Sequence, residues 1–299
     1  MKKSVSMLLA ALMLTGALAG CGSSASTSGT QAEDGADSGV SGAITVISRE
    51  DGSGTRGAFI ELTGVEEKTA DGKKVDNTTA DAEIANKTDV VLTSVAGNEK
   101  AIGYISLGAL NDTVKAVKVD GAEATVDNVK AGAYKLSRPF NIATKGEPTG
   151  VAKDFINFIL SKEGQAVVTD NKYIAVNDAA GSFVSDGSSG QIAVGGSSSV
   201  SPVMEKLIEA YKSVNPNASI DLQTSDSTSG MTGAMDGTFA IGMASRELKD
   251  EEAAQLTGTA IALDGIAVIV NPASTIDELS MDQIKSIYIG DITDWGDLA

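Results

Sequence analysis

Ala43-Ile44-Thr45-Val46-Ile47-Ser48, Arg49-Glu50-Asp51-Gly52-Ser53-Gly54-Thr55 and Arg56-Gly57-Ala58-Phe59-Ile60-Glu61-Leu62 follow one another without a break. A β-branched run, a polar glycine loop and an apolar stretch at helical spacing read as strand, loop and helix. The same unit recurs later. Gln191-Ile192-Ala193-Val194 leads through Gly195-Gly196-Ser197-Ser198-Ser199 to a helix predicted over Pro202 to Lys212, with Ser201 as N-cap and Pro202 at the first helical position. Ser219 to Gln223 leads through Ser225-Asp226-Ser227-Thr228-Ser229-Gly230 to a short helix near Met231, and Phe239 to Ala244 leads through Ser245-Arg246 to a helix over Leu248 to Leu256. Arg138 to Ala143 and the apolar run Ile261 to Val270 read as further strands. Val151, Phe155, Phe158 and Ile159 share one face of a helix reaching Leu160 with Thr149 as its cap, and Ser280 with Gln283 forms a capping box for a helix to Ile287. Residues 64–81 are polar and read as loop, and 178–190 as an internal Gly/Ser/Asp-rich linker. Strands alternating with helices imply an α/β fold with largely parallel sheets.

Outward from these units, the chain start has a different character. Lys2 and Lys3 precede an apolar run too short for a comfortable membrane span, so residues 1–20 read as a secretory signal. Leu18-Ala19-Gly20-Cys21 resembles the lipobox of bacterial lipoproteins, which implies lipidation of Cys21 and a membrane anchor. Residues 21–42 hold almost nothing to bury and read as a flexible tether. The rest is long enough for two lobes.

Composition excludes several functions. The net charge of −17, falling to −19 when Lys2 and Lys3 are removed, argues against nucleic acid as a partner. It would also repel an anion at long range, so any anion must be attracted by local groups. The chain has no histidine, which rules out Ser-His-Asp catalysis and histidine metal sites. Cys21 is its one cysteine, so no intramolecular disulfide can form.

The Ser/Thr/Gly loops sit where strands enter helices. Helix N-termini offer unpaired N–H groups, hydroxyls donate to the same oxygens, and glycine lets backbone come close. Arg49 and Arg246 add planar, permanently charged donors. Together they describe an oxyanion pocket. Gly52-Ser53-Gly54-Thr55-Arg56-Gly57 also matches a dinucleotide fingerprint, but Arg49-Glu50-Asp51 separates it from the strand, and no Gly-Lys-Ser/Thr follows to make a Walker loop. A phosphatase using a loop serine lacks an obvious base. Neither a cofactor nor a metal is implied.

Gly196-Ser197-Ser198-Ser199-Val200-Ser201-Pro202, Ser227-Thr228-Ser229-Gly230, Ile241-Gly242-Met243-Ala244-Ser245-Arg246 and above all Ser48 to Arg56 resemble the phosphate-binding subunits of bacterial ABC importers, of the type II periplasmic binding-protein fold. The resemblance runs from residue 43 onward. It implies a two-lobed receptor with a hinge, outside the cell membrane, a monomer that captures inorganic phosphate and delivers it to permease subunits without chemistry. Sulfate or another oxyanion is the alternative ligand. The motif order departs from the family, whose members begin with the Gly-Ser-Ser-Ser-Val segment, so the chain resembles a circular permutant with residues 178–190 joining the usual ends. One lobe would then comprise 43–135 with 271–299, and the other 136–270. Carried over by position, the resemblance implies phosphate binding by Ser198, Ser199, Val200, Thr228, Ser229, Ser245 and Arg246 from one lobe, and by Arg49, Ser53, Gly54 and Thr55 from the other. Asp51 would orient Arg49 and accept a phosphate proton. An aspartate that some family members carry is replaced here by Arg246.

Overall fold

The opening run forms the expected strand, β1 (Thr45–Arg49), and its loop turns into α1 (Gly54–Thr63), capped by the Ser53 hydroxyl and closed by Gly64 in the left-handed region. The computed structural model describes residues 41–298, so the signal segment, Cys21 and residues 22–40 lie outside the described residues. Seven further strands continue the main sheet: β2 (Glu83–Ala85), β3 (Ala101–Ser106), β4 (Ser137–Thr144), β5 (Gly190–Ser197), β6 (Ala218–Ser225), β7 (Ile241–Ala244) and β8 (Thr257–Val270). Their order is β6-β5-β7-β4-β8-β3-β1-β2, with the short strand Lys115–Ala116 also pairing with β8. Pairing is parallel within β6-β5-β7 and within β3-β1-β2. The two groups are joined by β4 and β8, which run antiparallel to each other and to the strands beside them. β3 and β7 are buried along their whole length, as strands covered on both faces must be.

The helices α2 (Thr88–Ala96), α3 (Gly150–Ile159), α4 (Lys162–Asp170), α5 (Ser201–Val214), α6 (Ser227–Asp236) and α7 (Met281–Ile289) cover the sheet. The Ser280–Gln283 capping box of α7 forms as expected. Thr149 stands at the N-cap of α3 without a side-chain bond, and Ser201 begins α5 with its hydroxyl turned back to the Ser197 carbonyl at 3.2 Å. Two expectations change. Within 64–81, Glu66–Lys68 and Lys74–Asp76 pair as a hairpin whose alternation is too short and too charged to stand out in the sequence. The helix expected over Leu248 to Leu256 is only Asp250–Ala253, because Leu248 and Leu256 turn in to pack with Met231, Ala234 and Ala244.

Beside the small cluster of Met231, Ala234, Ala244 and Leu256, two large hydrophobic cores divide the described residues. One gathers Ile47, Phe59, Tyr104, Leu136, Ile266 to Val270, Tyr288 and Trp295; the other gathers Phe140, Phe155, Leu207, Met243, Ile261 and Ala262. β4 and β8 serve both, changing core between Leu136 and Phe140 and between Ala262 and Ile266. The stretch Ile266 to Val270 therefore packs with the core of Arg49, a few residues earlier than the motif pattern suggests.

The first and last described segments meet. Ile44 N–H donates to the Thr293 carbonyl at 2.8 Å, and Trp295 N–H to the Gly42 carbonyl at 3.1 Å. Residues 178–189 contain no helix or strand but are tied down by buried Asp154, which accepts from Ser185 Oγ, the Asp186 N–H, Tyr211 Oη and Asn215 Nδ2.

Candidate functional site

The segments after β1, β2, β5, β6 and β7 bring their side chains to one place between the two cores. Hydroxyls of Thr55, Thr88, Ser197, Ser198, Ser199, Ser227 and Ser245 gather there, all buried. Thr55 Oγ1 lies 2.8 Å from Ser199 Oγ, and Thr88 Oγ1 lies 3.3 Å from Ser199 Oγ and 3.5 Å from Ser198 Oγ. Ser197 Oγ reaches Ser245 Oγ at 2.9 Å, and the Ser245 N–H donates to Ser227 Oγ at 3.1 Å. Backbone meets backbone as well, with the Thr228 N–H donating to the Gly52 carbonyl at 3.1 Å. Gly54 needs to be glycine, since a Cβ would lie 2.3 Å from Ser227 Oγ and 2.7 Å from Ser245 Oγ. The first residues of α1, α2, α5 and α6 all adjoin the cluster, so four helix N-termini direct their partial positive charge at it.

Arg49 is the cation of the site and is 2% exposed. Its own N–H donates to Tyr104 Oη at 3.1 Å, which fixes the end of β1, while Tyr104 stacks on Phe59 of α1 at 3.9 Å between ring centroids. Burial pushes the Tyr104 hydroxyl pKa up, so it stays protonated. The guanidinium donates to Ser198 Oγ at 3.1 Å and to the Ala85 carbonyl at 3.2 Å, and touches Thr88 Oγ1 at 3.5 Å. Glu50 grips it with both oxygens at 2.8 Å.

The structure thus corrects the role given to Asp51. Its side chain is 97% exposed at the turn and, among the described residues, pairs with Arg56 at 3.3 Å, while Glu50 one position earlier is the carboxylate that meets the Arg49 guanidinium. Ser229 is also outside the cluster. It is exposed and bonds to Asp226, the N-cap of α6, whereas Ser227, two residues earlier, is fully buried inside. Arg246 stays at the rim: Glu252 holds it bidentately at 2.7 and 2.8 Å, and one nitrogen reaches Thr228 Oγ1 at 3.3 Å. Burial raises the Glu252 carboxyl, but the Arg246 guanidinium and the Lys249 N–H outweigh it and leave the pKa below its ordinary value. The Val200 N–H bonds to the Ser197 carbonyl at 3.0 Å, and Ser53 serves as the cap of α1.

Arg49, Gly54, Thr55, Ser198, Ser199 and Ser245 come together as expected, with Thr228 beside them. Glu50, Thr88, Ser197 and Ser227 are additions. Ser197 and Ser227 stand in serine-rich motifs and could have been named from them, whereas Thr88 had no motif around it.

Among the described residues the hydroxyls of the cluster bond to one another and to the Arg49 guanidinium, and each O–H can turn to donate. Rotatable O–H groups, helix N-termini and one fixed guanidinium can surround a small tetrahedral oxyanion on all sides. An α/β chain with two cores, two crossing strands and such a site between them has the fold of a periplasmic binding protein.

The chain belongs to the PBP superfamily, whose domain model matches residues 25–163 and 182–299. It is 49% identical over 300 residues to phosphate-binding protein PstS 2 of Streptococcus agalactiae, covering 99% of this chain and 98% of that one. It is 47% identical over 296 residues to phosphate-binding protein PstS 2 of Streptococcus pneumoniae, covering 99% of both. The crystal structure of a phosphate ABC transporter phosphate-binding protein from Streptococcus pneumoniae superposes with a TM-score of 0.69 at 49% identity, covering 86% of this chain and all of that one.

Proposed function

We propose that this protein captures inorganic phosphate between its two lobes and delivers it to the permease of an ABC importer, without chemical conversion. The observation that carries the reading is buried Arg49 set among hydroxyls from both lobes at four helix N-termini. Full-length similarity to phosphate-binding proteins supports the same ligand. The ligand residues are Arg49, Thr55, Ser198, Ser199 and Ser245 with the Gly54 backbone, joined by Thr88, Ser197 and Ser227; Thr228 and Arg246 close the rim. The acceptor for a phosphate proton passes from Asp51 to Glu50, the carboxylate held against Arg49. Sulfate has no such proton and would face that acceptor unpaired.

The protein works as a monomer outside the cell membrane, tethered through lipid on Cys21. Its order is a circular permutation, with new ends between Asp297 and Ile44 and the old ends joined through 178–190. The contact of Ile44 with Thr293 supports this, since permutation requires ends that lie together.

Calorimetry with phosphate and with sulfate tests the function. Tight phosphate binding with weak sulfate binding is expected. No phosphate binding, or tighter sulfate binding, would overturn the ligand.

A further inference from the structure

Away from the hydroxyl cluster, the strands that pass between the cores carry a buried ion pair. Arg138 of β4 stands opposite Asp264 of β8 in the strand register. Arg138 Nη2 lies 3.3 Å from Asp264 Oδ2, and the two side chains are 2% and 1% exposed. Both residues fall between the positions where their strands change core. Other segments close around them. Ser106 ends β3, and just beyond it the Gly108 N–H donates to Asp264 Oδ1 at 3.4 Å. Tyr173 lays its ring so near Gly108 that a Cβ there would lie 2.2 Å from it, and the next residue, Ile174, bridges to Leu263 of β8. The Phe140 ring faces the Arg138 guanidinium at 5.5 Å.

The polar groups at this joint outnumber their protein partners. Arg138 Nε and Nη1, Ser106 Oγ and Tyr173 Oη are all buried and none makes a well-formed hydrogen bond within the protein, although the Ser106 hydroxyl lies close enough to Asp264 and to Tyr173 Oη to offset part of the rise that burial gives both pKa values. The bonds that Asp264 accepts are long for a carboxylate. Buried donors left over in this way are normally satisfied by internal water, which needs a polar site with two to four partners. The electrostatics agree. Burial pushes Asp264 up to about 6 and Arg138 down to about 10, shifts expected of two charges whose mutual contact does not make up for lost solvation.

We propose that Arg138, Asp264, Ser106 and Tyr173 form a binding site for internal water at the joint between the lobes, and that this water is held as the cleft closes on its anion. The proposal rests on the two-lobed phosphate receptor described above. Partners come from β3, β4, β8 and the Tyr173 segment, so the water bridges both lobes. A water can turn as the crossing strands twist, whereas direct bonds would fix one angle.

A crystal structure of the purified protein at a resolution that orders solvent tests the site. Water is expected within hydrogen-bond distance of Arg138 Nε or Nη1 and of Ser106 or Tyr173. A dry cluster, or direct bonds among these side chains, would overturn the site. Ser106→Ala and Tyr173→Phe each remove one hydroxyl and keep the packing. Each should weaken phosphate binding about fivefold through faster release, as loss of a single hydrogen bond predicts. The double variant should lose less than the product, because both act on the same water. Unchanged release rates in variants with unaltered circular dichroism would overturn the role in closure. If the unaltered protein does not bind phosphate, the functional reading fails, and the ligand-free crystal structure still decides the water site.

Discussion

Arg49 and its two acidic neighbours show how much depends on the direction of one side chain. Glu50 and Asp51 follow it in sequence, yet Glu50 binds the guanidinium through both oxygens and Asp51 faces solvent. Glu50→Gln should therefore weaken phosphate binding by about 30-fold, since taking the charged partner from the buried Arg49 guanidinium, in a pair that is itself half-buried, costs about 2 kcal/mol. Asp51→Asn should change it by less than about twofold, because exposed pairs contribute little. Calorimetry on the two variants checks the contrast, and equal effects would return the role to Asp51. Asp264 gives a second prediction at this scale. Its pKa, raised to about 6, means the folded state holds that proton more tightly than the unfolded chain does. The groups facing it are Arg138, the Ser106 hydroxyl, the Gly108 N–H and Tyr173, none of which changes charge in this range. Its favourable contribution is complete below about pH 4 and is lost as pH rises through about 6. The melting temperature of the protein minus that of Asp264→Asn should accordingly fall between those pH values, and a flat difference would contradict the shift.

Among the elements, the segment 178–189 shows how a stretch without regular structure can be held in place. Asp154 on α3 is buried and gathers Ser185, Asp186, Tyr211 and Asn215, joining that segment to α3 and α5. Burial raises the Asp154 pKa, but these donors together hold it below the ordinary value. Asp154→Ala should cost about 3 kcal/mol in denaturant unfolding, because it leaves buried donors without an acceptor. Phosphate affinity should be nearly unchanged, since the hub is remote from Arg49. The serine loops depend on elements in another way: which hydroxyl faces the cluster follows from the turn of the helix it begins. On α6 the first residue, Ser227, points in and Ser229 points out to the cap.

For the whole molecule, the two ends and the two crossings are the main features. Ends already paired through Ile44, Thr293, Gly42 and Trp295 can be joined. A chain opened within 178–189 and closed between residues 298 and 43 by a short flexible linker should fold and bind phosphate with an affinity within about tenfold of the original, given that permutation is tolerated at such sites. Circular dichroism and calorimetry would check it, and failure to fold would speak against the permuted reading.

From its sequence alone this protein was legible as an α/β chain with repeated strand-loop-helix units, Ser/Thr/Gly loops, one arginine set between strand and helix, and a motif order that resembles a rotated family pattern. These are local signals. Hydrophobic period, caps and turn residues record which face of each segment is buried, and they act over a few neighbours. Only the tertiary structure decided that Glu50 and not Asp51 holds Arg49, that Ser227 and Thr88 belong to the cluster while Ser229 does not, and that Arg138 meets Asp264 where the strands change core. Arg49 meets Ser198 across 149 positions and Thr88 meets Ser199 across 111. Contacts of that range arise from how the sheet and its helices pack, and a hydroxyl or carboxylate bears no mark in the sequence of which distant partner it will meet.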